Sequence, residues 1–313
     1  MFDLTGKAAL ITGGSYGLGV VWATALAEAG ADIALTARSG ALLEEVAAAL
    51  RSTGRTVTVH PGDVTDEDDV RRVMAEAVSA HGHVDVLVNN AGVSENTGRS
   101  SEQTTTEHFR HAVDVDLIGV WNYAREAGLH MLERGSGSII NVSSICGMGA
   151  TEFANPAYHA AKAAVIGLTR QLAAEWADRG VRVNSISPGF FMSEMIREAL
   201  EMMGTRPWIE SRNPMRRMGE HHELAGPVVF LASDAASYVT GVNLAVDGGH
   251  SAVMGMSQLQ APWQLWNRPG PVRSSDVYAG IAPLPEYIPR EGVAGFHFPA
   301  DEEEPSLWSD CWW

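Results

Sequence analysis

The sequence predicts an α/β fold: a single doubly wound parallel sheet of about seven strands with helices on both faces, followed by an extended C-terminal arm. Three observations carry that reading. Short apolar runs alternate with helix-period segments, a glycine-rich turn joins the first strand to the first helix, and the composition changes after residue 250. Strand–helix alternation calls for right-handed crossovers, which lay helices over both faces of parallel strands. Hydrophobic residues make up 45% of the 313 positions, enough for a large core, and no internal repeat is evident.

The elements follow in order. Lys7 to Thr12 reads as a short buried strand, and Gly13, Gly14, Ser15, Tyr16, Gly17, Leu18 and Gly19 lead into a helical pattern from about Val20 to Ala29. Glycines at this junction permit a tight turn, and the N–H groups that open a helix form an anion site suited to a pyrophosphate. The spacing Thr-Gly-x-x-x-Gly-x-Gly differs from Gly-x-Gly-x-x-Gly, so the turn alone does not establish a dinucleotide site. Next come strand Ala31 to Thr36 with helix Leu42 to Leu50, strand Thr56 to Val59 with helix Val70 to Ala80, and strand Val84 to Val88 with a helix about Phe109 to Leu132. Ser138 to Val142, the helix Ala157 to Ala177, Val181 to Ile186 and Val242 to Val246 complete the alternation.

A formal charge of −16 argues against nucleic acid and anionic membranes as partners, because both demand basic patches. A small-molecule substrate is the simpler expectation. Only Cys146 and Cys311 are present, too few for a disulfide framework or a cysteine-based zinc site, which fits a reducing compartment. The start runs directly into the first strand, with neither a basic-then-apolar leader nor a later apolar run near 18 residues, so the expectation is a soluble cytoplasmic protein.

The most telling chemistry is the pair Tyr158 and Lys162, fourteen residues after Ser144 in the run Asn-Val-Ser-Ser. Residues four apart share a helix face, so the ammonium can sit beside the phenol and stabilise its anion. Such a pair alone is weak; here it has company. Thr12 to Gly19, Asn89-Asn90-Ala91-Gly92, Asn141 to Ser144, Tyr158 to Lys162, Pro188-Gly189 with Ser193, and Val246-Asp247-Gly248-Gly249 occur in an order that resembles the short-chain dehydrogenase/reductase superfamily over about residues 3 to 250.

The resemblance implies a Rossmann-like fold and a nicotinamide cofactor. Tyr158 is then the general acid for carbonyl reduction, or base for alcohol oxidation, with Lys162 lowering its pKa and binding the nicotinamide ribose. Ser144 donates a hydrogen bond to the substrate oxygen, with Ser143 as the neighbour to consider if the register is off by one. Relatives usually carry asparagine where this chain has Asp116, and that asparagine helps hold a water that links the lysine to solvent in a proton relay. An ionised aspartate accepts but cannot donate, so Asp116 either pairs with Lys162 through that water or is a carboxylate without a role.

Cofactor choice turns on the end of the second strand. The stretch Ala34-Leu35-Thr36-Ala37-Arg38-Ser39 lacks the acidic residue that would hold a ribose 2′-hydroxyl, and Arg38 suits a 2′-phosphate, so NADP is expected with NAD open. In the resemblance, Asp63 and Val64 meet the adenine, Asn90, Ala91 and Gly92 form the loop beneath the cofactor, and Pro188, Gly189, Phe191 and Ser193 flank its nicotinamide end. His159 stands about 100° from Tyr158 on the helix and His221-His222 lacks further ligands, so neither is assigned catalysis or a metal.

Two segments depart from the regular pattern. Residues 190–218 carry Phe190, Phe191, Met192, Met195, Met202, Met203, Trp208, Met215 and Met218, read either as amphipathic helices on the core or as a substrate lid. Residues 251–313 hold five of the nine tryptophans and eight of the fourteen prolines, which suggests an arm docked on its own or a neighbouring subunit. The organisation is therefore a dinucleotide-binding catalytic domain over 1–250 and an arm over 251–313. The expected function is NADP-preferring hydride transfer to or from the carbonyl or secondary alcohol of a fairly apolar small molecule, in a homo-oligomer paired through the two long helices. The alternatives are the same chemistry on NAD, or a non-catalytic cofactor-binding sensor or scaffold.

Overall fold

The central strands are buried on both faces, the condition of a parallel sheet between two helix layers, whereas Val57–Val59 and Asn243–Val246 at the sheet edges are partly exposed. The computed structural model describes residues 1–94, 101–151, 155–191 and 206–253, all within one compact unit. The strands are β1 (Ala8–Thr12), β2 (Asp32–Thr36), β3 (Val57–Val59), β4 (Val86–Asn89), β5 (Gly137–Val142), β6 (Val181–Pro188) and β7 (Asn243–Val246). They run in the order β3-β2-β1-β4-β5-β6-β7, every pairing parallel. The order reverses between β1 and β4, so the crevice for a ligand opens beyond the C-terminal ends of those strands.

The helices are α1 (Leu18–Glu28), α2 (Gly40–Leu50), α3 (Glu67–His81), α4 (Thr106–Val113), α5 (Gly119–Arg134), α6 (Pro156–Trp176), α7 (Arg206–Arg212) and α8 (Ala225–Ala232). Successive strand residues serve opposite layers: Ile11 packs with Trp22, Leu26, Ile33 and Leu231 under α1, α2 and α8. Its neighbour Leu10 packs with Val73, Tyr123, Met131 and Trp176 under α3, α5 and α6. Both layers hold large side chains out of solvent, with Trp22, Tyr123, Leu10 and Ile11 all fully buried. No helix among the described residues is long and apolar enough to cross a membrane.

Two departures from the sequence pattern bear on function. The single helix expected over about Phe109 to Leu132 is instead α4 and α5 joined by a π-helical turn, Asp114–Ile118. A π turn inserts one residue into the helical ladder, which apolar periodicity does not register, and such turns cluster at functional sites. In addition, Trp121 on α5 is 38% exposed rather than core, alongside exposed Ile118 and Leu129.

In the segment expected to cover the crevice, Phe191 and Met218 are buried, Phe191 bridges Gly219, and Met215 is exposed. Ser193 and the methionines at 192, 195, 202 and 203 lie outside the described residues, as do the side chain of Trp208 and the arm from residue 254 onward.

Candidate active site

The glycine-rich turn is built by close backbone approach. Gly13 and Gly17 have φ of 65° and 59°, and a Cβ on Gly13 would lie 2.9 Å from the Ala91 Cα. Asn90 ties this turn to the end of β4: its Nδ2 donates to the carbonyls of Thr12 (3.1 Å) and Gly13 (3.2 Å), and its Oδ1 accepts from Trp22 Nε1 (2.9 Å). Thr12 Oγ1 accepts the N–H groups of Asn90 and Ala91, each at 3.0 Å. The first turn of α1 has neither a side-chain cap nor an acidic residue of its own, which leaves its N–H groups suited to an anion.

A cavity of about 870 Å³ opens there. Gly13, Ser15, Tyr16, Gly17 and Leu18 line one wall; Arg38, Asp63 and Val64 line the end beyond β2 and β3. Asn90, Ala91, Gly92, Pro188, Gly189 and Phe191 line the middle. Gly19 does not reach the cavity wall; it lies behind the turn, where a Cβ would stand 2.0 Å from the Gly13 carbonyl oxygen. The Arg38 guanidinium is exposed at the rim, next to Ser39, which caps α2. No carboxylate stands on 34–39. This wall fits a dinucleotide: the uncapped helix start and the glycine cradle suit a pyrophosphate, and the Arg38 end suits a further phosphate.

At the far end the chain gathers Ser144, Tyr158 and Lys162 on the same cavity. β5 delivers the serines and α6 the other two. Asn155 starts α6 at the Tyr158 backbone N–H (3.3 Å), and Pro156 follows at the first helical position, the usual pairing at a helix N-terminus. Ser143 Oγ donates to the Lys162 carbonyl (2.8 Å), which leaves Ser144 to face the phenol. Lys162 is 3% exposed; its Nζ donates to the Val142 carbonyl (3.2 Å) and stands 5.4 Å from the Tyr158 ring centre. Burial pushes the Tyr158 phenol above the ordinary tyrosine range and the Asp116 carboxylate adds to the rise, while the Ser144 hydrogen bond pulls the other way.

Asp116 sits on the π turn with no exposed surface, its Oδ1 accepting the Val93 N–H (2.7 Å) and lying 4.0 Å from Lys162 Nζ. Neighbouring asparagines brace the floor: Asn89 Nδ2 donates to Asn141 Oδ1 (2.9 Å), and Asn141 Nδ2 to Thr169 Oγ1 (3.0 Å).

The wall beside Tyr158 also holds residues that sequence reasoning passed over. His159, set aside for its angle on the helix, lines the cavity because the cavity wraps around the first turn of α6. Its Nδ1–H donates to the Asn155 carbonyl (2.8 Å), which leaves Nε2 to accept from Thr151 Oγ1 (3.0 Å). Asn155 Nδ2 reaches Ser94 Oγ (3.1 Å). Cys146 lines the same end with its thiol pushed up by burial. The Asn-Pro start of α6 was the available signal for Asn155; nothing in the sequence marked Ser94 or Thr151.

A family model described as enoyl-(acyl carrier protein) reductase matches residues 13–251. The chain is 41% identical over 249 residues to the cis-4-hydroxycyclohexanecarboxylate dehydrogenase of Sinomonas cyclohexanicum, a match covering 79% of this chain and 97% of that protein. It is 40% identical over 256 residues to the galactitol 2-dehydrogenase (L-tagatose-forming) of Cereibacter sphaeroides, covering 80% and 97%. A solved gluconate 5-dehydrogenase from Burkholderia cenocepacia, in complex with NADP and tartrate, superposes with a TM-score of 0.77 at 35% identity, over 81% of this chain and 98% of that one. Agreement of this length, on a sheet of this order, means that the chain belongs to the short-chain dehydrogenase/reductase superfamily and is an NAD(P)-dependent oxidoreductase of alcohols and carbonyls.

Proposed function

We propose that this enzyme prefers NADP(H) and interconverts a secondary alcohol and its ketone on a small, fairly apolar molecule that carries a polar edge. One observation carries the reading: Ser144, Tyr158 and Lys162 meet at one end of a cavity whose other end presents Arg38 and no carboxylate from β2. The nicotinamide, when bound, supplies or takes up the hydride.

The chain's own residues do the rest. Tyr158 gives its phenolic proton to the substrate oxygen in reduction and takes the hydroxyl proton in oxidation. Ser144 donates to the same oxygen as negative charge develops there, and Lys162 stabilises the phenolate. Holding the cofactor falls to the turn Gly13 to Leu18 for the pyrophosphate, Arg38 for the 2′-phosphate, Asp63 and Val64 for the adenine, and Lys162 for a ribose. Asn90, Ala91, Gly92, Pro188, Gly189 and Phe191 shape the remainder. Gly19 serves through packing, since its position behind the turn keeps α1 close to β1.

The substrate reading rests on the wall beside Tyr158, where Val93, Ile145 and Phe190 stand with Ser94, Thr151, Asn155 and His159. Apolar faces hold a ring or carbon chain, and the hydroxyl and amide groups meet its further oxygen atoms. The named relatives act on a hydroxylated cyclohexane carboxylate and on a sugar alcohol, which is chemistry of this kind. Exposed Trp121 and Leu129 on α5, with exposed Ile118 at the end of the π turn before it, support pairing of α5 and α6 between subunits. The low cysteine count supports a cytoplasmic setting.

Nicotinamide absorbance followed with a panel of cyclic alcohols, polyols and their ketones, with both cofactors, tests this. The expectation is turnover with a kcat/KM for NADP(H) at least about tenfold above that for NAD(H), the low end for a charged hydrogen bond. Equal or inverted efficiencies would assign Arg38 another role, and no turnover with either cofactor would favour a sensor.

A further inference from the structure

We infer that Asp116 is a positioning residue: as a buried carboxylate set against Lys162, it holds Tyr158 in the phenol form to higher pH and so favours carbonyl reduction over alcohol oxidation near neutrality. The inference rests on the assignment of Tyr158 as proton donor and acceptor.

Geometry gives Asp116 this place. The π turn between α4 and α5 carries it inside, where it has no exposed surface. Its Oδ1 is fixed by the Val93 N–H at 2.7 Å and stands 4.0 Å from Lys162 Nζ, itself only 3% exposed. Gly92 lets the backbone lie against both: a Cβ there would be 2.8 Å from Asp116 Oδ1 and 3.2 Å from Lys162 Nζ. Two opposite charges this close, out of water, offset one another far more than they would at the surface.

The consequence for Tyr158 is a matter of sign. Lys162 alone favours the phenolate; a carboxylate beside Lys162 cancels part of that pull and repels the phenolate. The titratable groups facing this end are Lys162 and His159 from α6, Cys146 from the turn after β5, His111 from α4, and Asp114 and Asp116 from the π turn. Lys162 is the buried basic group of the set and Asp116 the buried acidic one. Burial and then the Asp116 carboxylate both raise the phenol above its ordinary range. Proton donation is available below that pKa and proton abstraction above it, so raising it extends reduction upward in pH and delays oxidation.

Asp116→Asn keeps the oxygen that accepts from Val93 and removes the charge. The experiment measures kcat against pH in both directions. It also titrates the phenolate absorbance of the cofactor-free protein as the difference from the matching Tyr158→Phe protein. Removal of the charge is expected to move the acid limb of oxidation, the alkaline limb of reduction and the phenolate titration to lower pH together, by about one unit. Oxidation at neutral pH then rises up to about tenfold. If both limbs and the titration stay in place in a folded variant, the inference is overturned. Should the Asn variant melt at low temperature, Asp116→Ser carries the same expectation and the same refutation. If Tyr158→Phe retains turnover, the assignment of Tyr158 is what fails. If that variant is inactive while the Asp116→Asn titration is unmoved, the inference about Asp116 alone fails.

Discussion

Gly19→Ala should destabilise the fold and loosen the cofactor although residue 19 touches no cavity space. A Cβ there would stand 2.0 Å from the Gly13 carbonyl oxygen, 2.8 Å from the Gly13 carbonyl carbon and 2.9 Å from Asn90 Nδ2. The first two are backbone atoms, so α1 and the glycine turn must part. Overpacking of this kind costs about 1–3 kcal/mol. Separation also strains the Asn90 bonds to Thr12 (3.1 Å) and Gly13 (3.2 Å), each worth about 1 kcal/mol. A total near 3 kcal/mol, for a domain of this size, lowers Tm by about 6–12 °C. Calorimetric melting of the cofactor-free protein gives that figure, and titration calorimetry gives the cofactor Kd, which should weaken as the cradle opens. Gly226→Ala, on α8 with nothing within 4 Å of its Cβ, is the control and should be neutral or slightly stabilising. A Gly19→Ala protein that melts within about 2 °C of the parent and keeps its Kd would refute the packing argument.

Arg38→Ala should weaken NADP by about 1.5–3 kcal/mol, roughly tenfold to a hundredfold in Kd, and leave NAD nearly unchanged. Titration of both cofactors decides this, and equal losses would mean that Arg38 only stacks. Trp121→Glu puts a charge on the exposed α5 stripe and should lower the mass seen by light scattering while the melting temperature of the isolated subunit holds, because Trp121 is not core. An unchanged mass would move the interface away from α5.

The parallel sheet was legible because its strands alternate with helix-period segments and most of them are short apolar runs; the order of the strands emerged only from the structure. Ser144, Tyr158 and Lys162 were legible because helix spacing carries Tyr158 and Lys162 to one face and a strand end brings Ser144 to meet them. The π turn was not, since one inserted residue leaves the apolar pattern of α4 and α5 almost intact; only the structure shows that it turns Asp116 inward against Lys162. That His159 lines the cavity was not legible, because an angle on one helix says nothing of how far a cavity extends around it. α8 escaped notice because its run Ala-Gly-Pro-Val-Val-Phe-Leu-Ala is apolar nearly throughout and shows no polar face. Gly19 reads in the sequence as one of the cofactor-turn glycines; that it lies off the cavity wall, against the Gly13 backbone, is visible only in the structure.

Tyr158→Phe tests the central claim most directly, with turnover and cofactor Kd measured on the same preparation. Removing the phenolic proton should lower kcat by at least about a hundredfold while the cofactor Kd stays within about twofold, because the ring and Lys162 remain in place. Turnover near that of the parent, at unchanged affinity, would contradict the account.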